Sequence, residues 1–467
     1  RSHLRDTVHP HRERIQPEGI VRAVIPPAVM EEGTEMIKQV LEGQTIQDTI
    51  PKLEPPFQEP VVRLENGLVF DERIFECATA ILGCVGSGKT FLLDKMMKQI
   101  LESADRLKEN VYIFCAKPDF LKYKRPQDIV VSVADTGDPK GCWNLFLEMK
   151  NSRDPEQTAK LIVSSLLQDQ QSTQNPYFVN SAKDVLFTVI MACYEEGLKK
   201  GYLPTNAYLY DFFEKVSLDP ENENSWQNLA VINPRRFAHL NDYFGNGLEQ
   251  GYGTISEIRT LLFEALWGSF CTDNGEFSII DSLKRGRRVF LYFDHASSSN
   301  ASIKIYKTLL DLLFKRITDP ANKRRCWVFL DEFSILPRTE QLIDCMSLGR
   351  EAGLRLICTL QSAQLLTRHY KEDEAKALIS LFPNIICLKV QDALSRKVVA
   401  DRYGECLTSY TFNGPMQKII PHTEHRPVIA DYDFTMIQKK GDALMSIPNL
   451  SDSPFFYHGW RKELENI

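Results

Sequence analysis

The stretch ILGCVGSGKT, Ile81–Thr90, decides the fold of this chain. An apolar run leads into the spacing G-x-x-x-x-G-K-T, and a helix-forming segment follows at Phe91–Met97. A strand, a glycine-rich loop and a helix in this order are typical of the loop that binds the phosphates of a nucleoside triphosphate. Phosphates need several backbone N–H donors at close range, and glycines leave room for that approach. The sequence therefore predicts a phosphate-binding loop between a buried strand and a helix.

Each residue type in the loop suits a part of the nucleotide. The Lys89 ammonium would lie over the β- and γ-phosphate oxygens, and the Thr90 hydroxyl would bind Mg²⁺. The helix that follows presents its positive N-terminal end to the anion. The residues predicted to bind the nucleotide are Gly83, Gly86, Ser87, Gly88, Lys89 and Thr90.

Two later strand ends carry polar groups that suit the same site. WVFLDE, Trp327–Glu332, ends in two carboxylates, and the next apolar strand ends in Gln361. Asp331 would hold Mg²⁺, Glu332 would polarise the attacking water, and Gln361 would contact the γ-phosphate. By itself each strand end is also compatible with an ordinary turn. Because ligands bind at the carboxyl edge of parallel sheets, their place downstream of a phosphate loop favours the catalytic interpretation.

Several charged clusters leave alternatives open. Arg350 lies on a predicted helix, where it would stabilise charge on a phosphoryl group in a neighbouring subunit, although spacing alone favours a surface arginine. The basic clusters Lys284–Arg288 and Lys122–Arg125 suit either nucleic-acid contacts or solvated turns. The spacing of His422–His425 is too short to indicate a metal site.

Composition is that of an ordinary globular protein. The chain has 467 residues, of which 43% are hydrophobic and 25% charged, with a formal net charge of −6. This mild acidity argues against a chain coated in nucleic acid but allows a locally basic channel. The eleven cysteines are scattered without a C-x-x-C pair, which predicts reduced thiols. The longest apolar run, Val185–Tyr194, is too short to cross a bilayer.

The order of strands and helices predicts an α/β protein with an insertion. Continuous apolar strands separated by helices indicate a parallel sheet that is buried on both faces. The pattern between them is helical, which indicates an all-α domain inserted into the α/β domain. Val61–Phe70 reads as a hairpin around Asn-Gly, and Val29–Leu41 as a helix. The predicted divisions are an N-terminal arm or linker at 1–55, the first part of the nucleotide-binding domain at 56–150, an all-α domain at 151–268 and the second part at 269–467.

Three blocks carry a resemblance to a known family: VFLDEFSIL from Val328, LGREAGLRL from Leu348 and TLQSAQL from Thr359. In this order they resemble the type IV coupling proteins, the ATPases that deliver DNA or protein substrates to conjugation and type IV secretion machines. The resemblance extends from about Pro60 to the C-terminus. Cys84 and Val85 stand where relatives carry small or hydroxyl residues, which indicates a divergent branch.

The resemblance implies a RecA-like parallel-sheet P-loop NTPase domain with an inserted all-α domain. It implies ATP and Mg²⁺ as ligands, with Thr90 and Asp331 on the metal. The catalytic residues that it implies are Lys89, Glu332, Gln361 as a nucleotide sensor and Arg350 as an arginine acting between subunits.

The resemblance also implies partners and a location. Expected partners are a DNA–relaxase complex or effector proteins, the inner-membrane secretion machinery and further copies of this chain in a hexamer. The expected location is the cytoplasmic face of the bacterial inner membrane. Either a membrane anchor was removed or the chain is a soluble relative, and the start at Arg1 favours removal of an anchor. Two alternatives stay open: a DNA-pumping RecA-like translocase of the segregation or packaging type, and a non-hydrolysing, nucleotide-gated substrate receptor.

Overall fold

The computed structural model describes the chain from residue 35 to residue 458, with gaps. The described ranges are 35–55, 59–134, 137–167, 176–219, 221–226, 233–240, 248–294, 302–322, 324–413, 422–437 and 439–458. The chain divides into two compact units, one formed by Arg1–Ile46 with Ala400–Ala430 and the other by Gln47–Val399 with Asp431–Ile467.

The second of these units is built on a nine-stranded sheet. Both units together contain, in chain order, the strands β1 Glu35–Glu42, β2 Pro60–Arg63, β3 Val69–Asp71, β4 Thr79–Leu82, β5 Asn110–Cys115, β6 Ile129–Val131, β7 Arg288–Tyr292, β8 Cys326–Leu330, β9 Leu354–Leu360, β10 Asn384–Cys387, β11 Glu405–Asn413, β12 His422–Pro427, β13 Ala443–Ser446 and β14 Phe455–Tyr457. The large sheet has the order β14-β13-β10-β4-β9-β8-β5-β7-β6. Neighbours from β10 to β6 are parallel, and β13 and β14 add antiparallel strands at the β10 edge.

Helices connect these strands. They are α1 Glu72–Phe75, α2 Lys89–Leu107, α3 Leu145–Asn151, α4 Pro155–Leu166, α5 Pro176–Lys200, α6 Asn206–Lys215, α7 Pro234–Phe237, α8 Leu248–Ala265, α9 Ile279–Arg285, α10 Ile303–Ile317, α11 Glu340–Ala352, α12 Ala363–Leu366, α13 Glu372–Ser380 and α14 Ala393–Ala400. The helix after the phosphate loop, α2, buries apolar residues at helical spacing, among them Leu92, Met96 and Ile100. The strands β4, β5, β8 and β9 are buried along their whole length. This pattern is the one expected of parallel strands covered on both faces.

The strand register determines which residues meet at one edge of the sheet. Leu82 at the end of β4 pairs with Leu360 of β9, and Leu330 at the end of β8 pairs with Cys358 of the same strand. On its other side, Leu330 pairs with Phe114 of β5. The segments that follow these strands therefore all leave from the carboxyl edge of the sheet.

The prediction of a helix at Val29–Leu41 is wrong for the residues that the structure describes. Glu35–Glu42 is the strand β1, which pairs antiparallel with β11, and β11 pairs antiparallel with β12 in a three-stranded sheet. Residues 29–34 lie outside the described part of the chain. Helix-favouring residues such as Met36 and Lys38 adopt the extended form because the ladder to β11 satisfies the backbone along the strand, and such tertiary pairing overrides intrinsic propensity.

The predicted hairpin is confirmed. The hairpin is formed by β2 and β3, and Asn66 in its turn has a φ of 57°, a left-handed conformation that asparagine tolerates. All eleven cysteines are free. In the described ranges no helix is long and apolar enough to span a membrane.

Between β6 and β7 the described residues are mainly helical, from α3 to α9. The predicted boundaries at 151 and 268 stay predictions. A buried carboxylate, Glu148 on α3, joins this helix to the start of α9. It accepts hydrogen bonds from the Ser278 hydroxyl (2.7 Å), the backbone N–H groups of Ile279 (2.6 Å) and Ile280 (3.1 Å), and the Trp143 indole (3.1 Å). Burial raises the pKa of Glu148, and these hydrogen bonds oppose the rise.

Replacing Glu148 with alanine should destabilise the chain by about 3–5 kcal/mol, because the substitution leaves several buried donors without an acceptor. Urea denaturation followed by tryptophan fluorescence measures the loss. The control is Glu156→Ala on α4, where the carboxylate forms surface ion pairs and the expected cost is below about 1 kcal/mol. Equal losses for the two variants would contradict the role given to Glu148.

Candidate functional site

The loop after β4 has the backbone of an anion cradle. Gly86 and Gly88 have φ angles of +76° and +103°, in the left-handed region that favours glycine. A Cβ on Gly83 would lie 2.5 Å from Ser87 Oγ and 2.9 Å from Leu388 Cβ, so only glycine fits there. Helix α2 begins directly after Gly88. Its first N–H groups have no partner within the helix and can bind an anion.

Lys89 folds back over this loop. Its ammonium donates to the carbonyl oxygens of Gly83 (2.5 Å) and Cys84 (3.1 Å), and the residue is 9% exposed. Burial lowers the pKa of Lys89, and the charge of Glu332 opposes this shift. The ammonium is therefore held at the loop, where phosphate oxygens can replace the carbonyl acceptors.

Asp331 and Glu332 leave the end of β8 towards the same place. Asp331 is 6% exposed and accepts a hydrogen bond from the Thr359 hydroxyl (3.0 Å). The same hydroxyl accepts the backbone N–H of Glu332 (2.9 Å). Burial raises the pKa of Asp331, and the bond from Thr359 opposes the rise. Thr359 thus joins the two acidic residues to strand β9.

Both carboxylate oxygens of Glu332 are hydrogen-bonded. Gln361 Nε2 donates to Oε2 (2.6 Å) and the Ser334 hydroxyl donates to Oε1 (2.8 Å). The Glu332 backbone is left-handed, with φ 60° and ψ 58°. For a residue other than glycine this costs on the order of 1 kcal/mol, and such strain concentrates at functional sites. The bend turns the chain at the strand end, and the Glu332 side chain meets Gln361 of the neighbouring strand.

These groups line one cavity of about 340 Å³. Its walls include the predicted residues Gly86, Gly88, Lys89, Thr90, Asp331, Glu332 and Gln361. Residues that are far apart in the chain therefore meet at one edge of the sheet. Four further polar residues of the site had no predicted role: Thr359, Ser334, Lys117 and Lys440. The one signal for Thr359 was a hydroxyl near the end of a mostly apolar strand.

The residues present fit a nucleotide with Mg²⁺. The buried Ser87 hydroxyl oxygen has no hydrogen-bond partner, which suits a loop that binds an anion. In the described residues no group of three or more His, Cys, Asp or Glu side chains could hold a metal alone. Magnesium bound with a nucleotide needs only one or two protein ligands besides phosphate and water. Thr90 and Asp331, both on the cavity wall, would supply them.

Arg350 lies near the end of α11, and its side chain lies outside the described part of the structure. Its predicted role between subunits stays a prediction.

The basic clusters make ion pairs within the chain. Lys122 pairs with Asp94 (2.7 Å), and the buried Arg288 side chain pairs with Asp105 (2.8 Å). Arg125 also pairs with Asp105 (2.7 Å). These contacts favour structural roles for the clusters.

A parallel sheet with a phosphate-binding loop on one strand and an acidic pair on a nearby strand defines a P-loop NTPase of the RecA-like class. Within that class, the chain belongs to the type IV secretion-system coupling proteins. The family model described as "Type IV secretion-system coupling protein DNA-binding domain" matches residues 66–412. A search of curated protein sequences finds no significant match.

Solved structures share the fold. The bacterial conjugative coupling protein TrwBdeltaN70, in a trigonal form with sulphate, is 17% identical with a TM-score of 0.68 over 90% of this chain and 94% of its own. The plasmid coupling protein TrwB in complex with ADP and Mg²⁺ is 17% identical with a TM-score of 0.66 over the same shares. VirB4 of Thermoanaerobacter pseudethanolicus is 14% identical with a TM-score of 0.51 over 89% of this chain and 97% of its own. The resemblance seen in the sequence and the predicted fold class are confirmed.

Proposed function

We propose that this chain binds Mg-ATP and hydrolyses it to deliver substrates to a type IV secretion channel. The observation that carries the proposal is the meeting of Lys89, Asp331, Glu332 and Gln361 around one cavity beside the phosphate loop. TrwB, a protein of the same fold, has been solved with ADP and Mg²⁺, which supports these ligands for the present chain.

Each residue has a task in hydrolysis. The loop amides and Lys89 hold the phosphates, and Mg²⁺ bound through Thr90 and Asp331 would neutralise charge between the β- and γ-phosphates. Glu332 orients a water molecule and withdraws its proton as the water oxygen attacks the γ-phosphorus. The bond from that phosphorus to the bridging oxygen breaks, and ADP and phosphate are the products. Because Gln361 donates to Glu332, it holds the carboxylate in place and can sense the γ-phosphate.

A ring of subunits would complete the site. Arg350 would reach the γ-phosphate of a neighbouring copy and link hydrolysis between subunits, as the family resemblance implies. We infer a hexamer at the cytoplasmic face of the inner membrane, with the helices α3–α8 receiving the substrate.

Arg350→Ala should lower ATP turnover by about 10³-fold or more, because an arginine acting between subunits stabilises the transferring phosphoryl group. Mixing this variant with Lys89→Ala should restore part of the activity, since hybrid interfaces then contain one intact loop and one intact arginine. Steady-state phosphate release across mixing ratios measures the rescue. The control is Arg368→Ala, an exposed arginine outside the cavity, which should turn over normally. Rings that assemble yet show no rescue would contradict the role between subunits.

The substrate is DNA, protein or both. The matched family model is that of a DNA-binding domain, which supports DNA as a partner. Purifying the full-length protein from its own cell tests the proposal. Recovery of a relaxase–DNA complex or of effector proteins supports it, and recovery of neither after crosslinking would contradict it.

A DNA-pumping translocase shares the fold, and its ATPase should be strongly stimulated by double-stranded DNA in the absence of secretion machinery.

A non-hydrolysing receptor would bind ATP without turnover. The hydrogen-bonded Glu332 carboxylate in the cavity favours a hydrolase over this receptor.

A further inference from the structure

Two lysines that belong to no recognised motif line the nucleotide cavity. Lys117 follows the end of β5, and Lys440 precedes β13. The two residues are 323 positions apart in the chain, and the sheet brings them to the same edge. Lys440 also lies beyond the residues that the family model matches.

Neither ammonium group is used elsewhere in the described structure. Both residues are exposed, and within the described ranges neither forms an ion pair or a side-chain hydrogen bond. Most of the other cations discussed above are paired, as Lys122 is with Asp94. An unpaired cation in the wall of an anion site is free to bind the anion.

These lysines decide the sign of the charge around the cavity. The ionisable residues of its wall are three lysines and two carboxylates, Lys89, Lys117, Lys440, Asp331 and Glu332, which leaves one net positive charge. Without Lys117 and Lys440 the wall would carry one net negative charge. Mg-ATP carries a charge of about −2 near neutral pH, so a negative wall would repel it at close range.

The strand order separates the two lysines around the loop. In the order β13-β10-β4-β9-β8-β5, the phosphate loop follows β4. Lys117 follows β5 and therefore lies on the same side of the loop as β8, the strand that carries the two carboxylates at its end. Lys440 lies on the opposite side, next to the antiparallel strands. Lys117 is close enough to Asp331 that its charge partly opposes the rise in pKa that burial causes there. The terminal phosphate points towards the carboxylates in a P-loop site.

We propose that Lys117 binds the γ-phosphate of ATP and that Lys440 binds the part of the nucleotide shared by ATP and ADP. The inference rests on the proposed function, because it concerns the same nucleotide. It adds two binding residues and makes Lys117 a determinant of specificity for the triphosphate.

Calorimetric titration of the folded chain with Mg-AMPPNP and with Mg-ADP tests the assignment. Lys117→Met should raise the Kd for AMPPNP about tenfold and the Kd for ADP by less than about twofold, since only AMPPNP has the terminal phosphate. Lys440→Met should raise both dissociation constants by a similar factor of about five. Lys117→Arg should keep most of the affinity for AMPPNP.

Exposed neighbours provide matched controls. Lys124→Met and Lys439→Met remove a lysine from the same segments without changing the cavity wall, and both should bind like the unsubstituted chain. If Lys117→Met leaves the ratio of the two dissociation constants unchanged while the unsubstituted chain binds both nucleotides, the inference fails and the proposed function stands. If the unsubstituted chain binds neither nucleotide, both fail.

Discussion

Lys89→Ala should reduce ATP turnover by more than about 100-fold while the chain stays folded. Among the residues that the structure describes, the Lys89 ammonium bonds only to carbonyl oxygens of its own loop, so its removal leaves the surrounding core in place. The loss falls on phosphate binding and on the charge that develops during phosphoryl transfer, where removal of a single preorganised donor costs about 10²–10³ in rate. Phosphate release at saturating ATP, with a thermal unfolding curve on the same sample, measures both parts.

Lys98→Ala is the matched control for this variant. Lys98 is an exposed lysine on the same helix and lies outside the cavity wall, so turnover should not change. Hydrolysis retained by Lys89→Ala would reject the assignment of the phosphate-binding loop, and with it the proposed enzyme activity.

Glu332→Gln should bind ATP and fail to hydrolyse it. The amide has the size of the carboxylate and can still meet Ser334 and Gln361, so the site should keep its shape. An amide cannot take a proton from the attacking water, and loss of a general base costs about 10²–10⁴ in rate. Single-turnover hydrolysis together with nucleotide titration separates the chemical step from binding.

Turnover by Glu332→Gln at the rate of the unsubstituted chain would contradict the role of Glu332 as the general base. The exposed residue Glu102 on α2 offers a matched substitution, Glu102→Gln, which should leave both binding and turnover unchanged. Weak nucleotide binding by Glu332→Gln would show instead that the carboxylate contributes to binding ATP before the chemical step.

Much of the site could be predicted because its residues stand at strand ends. The spacing of residues from Gly83 to Thr90 is rarely found outside phosphate-binding loops, and the pair Asp331–Glu332 follows a strand that is apolar throughout. Local sequence is informative here because the chemistry depends on backbone turns that only particular residues allow. The domain boundaries and the role of Arg350 stay predictions.

The misses have a common cause. Met36 and its neighbours form a strand because β11 pairs with them, and β11 lies hundreds of residues further along the chain. Thr359 bridges Asp331 and Glu332 only because β8 and β9 lie side by side in register. No local pattern contains information about such partners.

By itself, the sequence determined the phosphate-binding loop, the acidic strand end, the class of fold and the family, because each depends on residues close together in the chain or on motifs in a fixed order. The tertiary structure alone decided that Lys117 and Lys440 share a cavity with Lys89 and that Gln361 and Ser334 hold Glu332. The physical reason is that hydrogen bonds and charge interactions act over a few ångströms of space, and the folding of the sheet sets those distances.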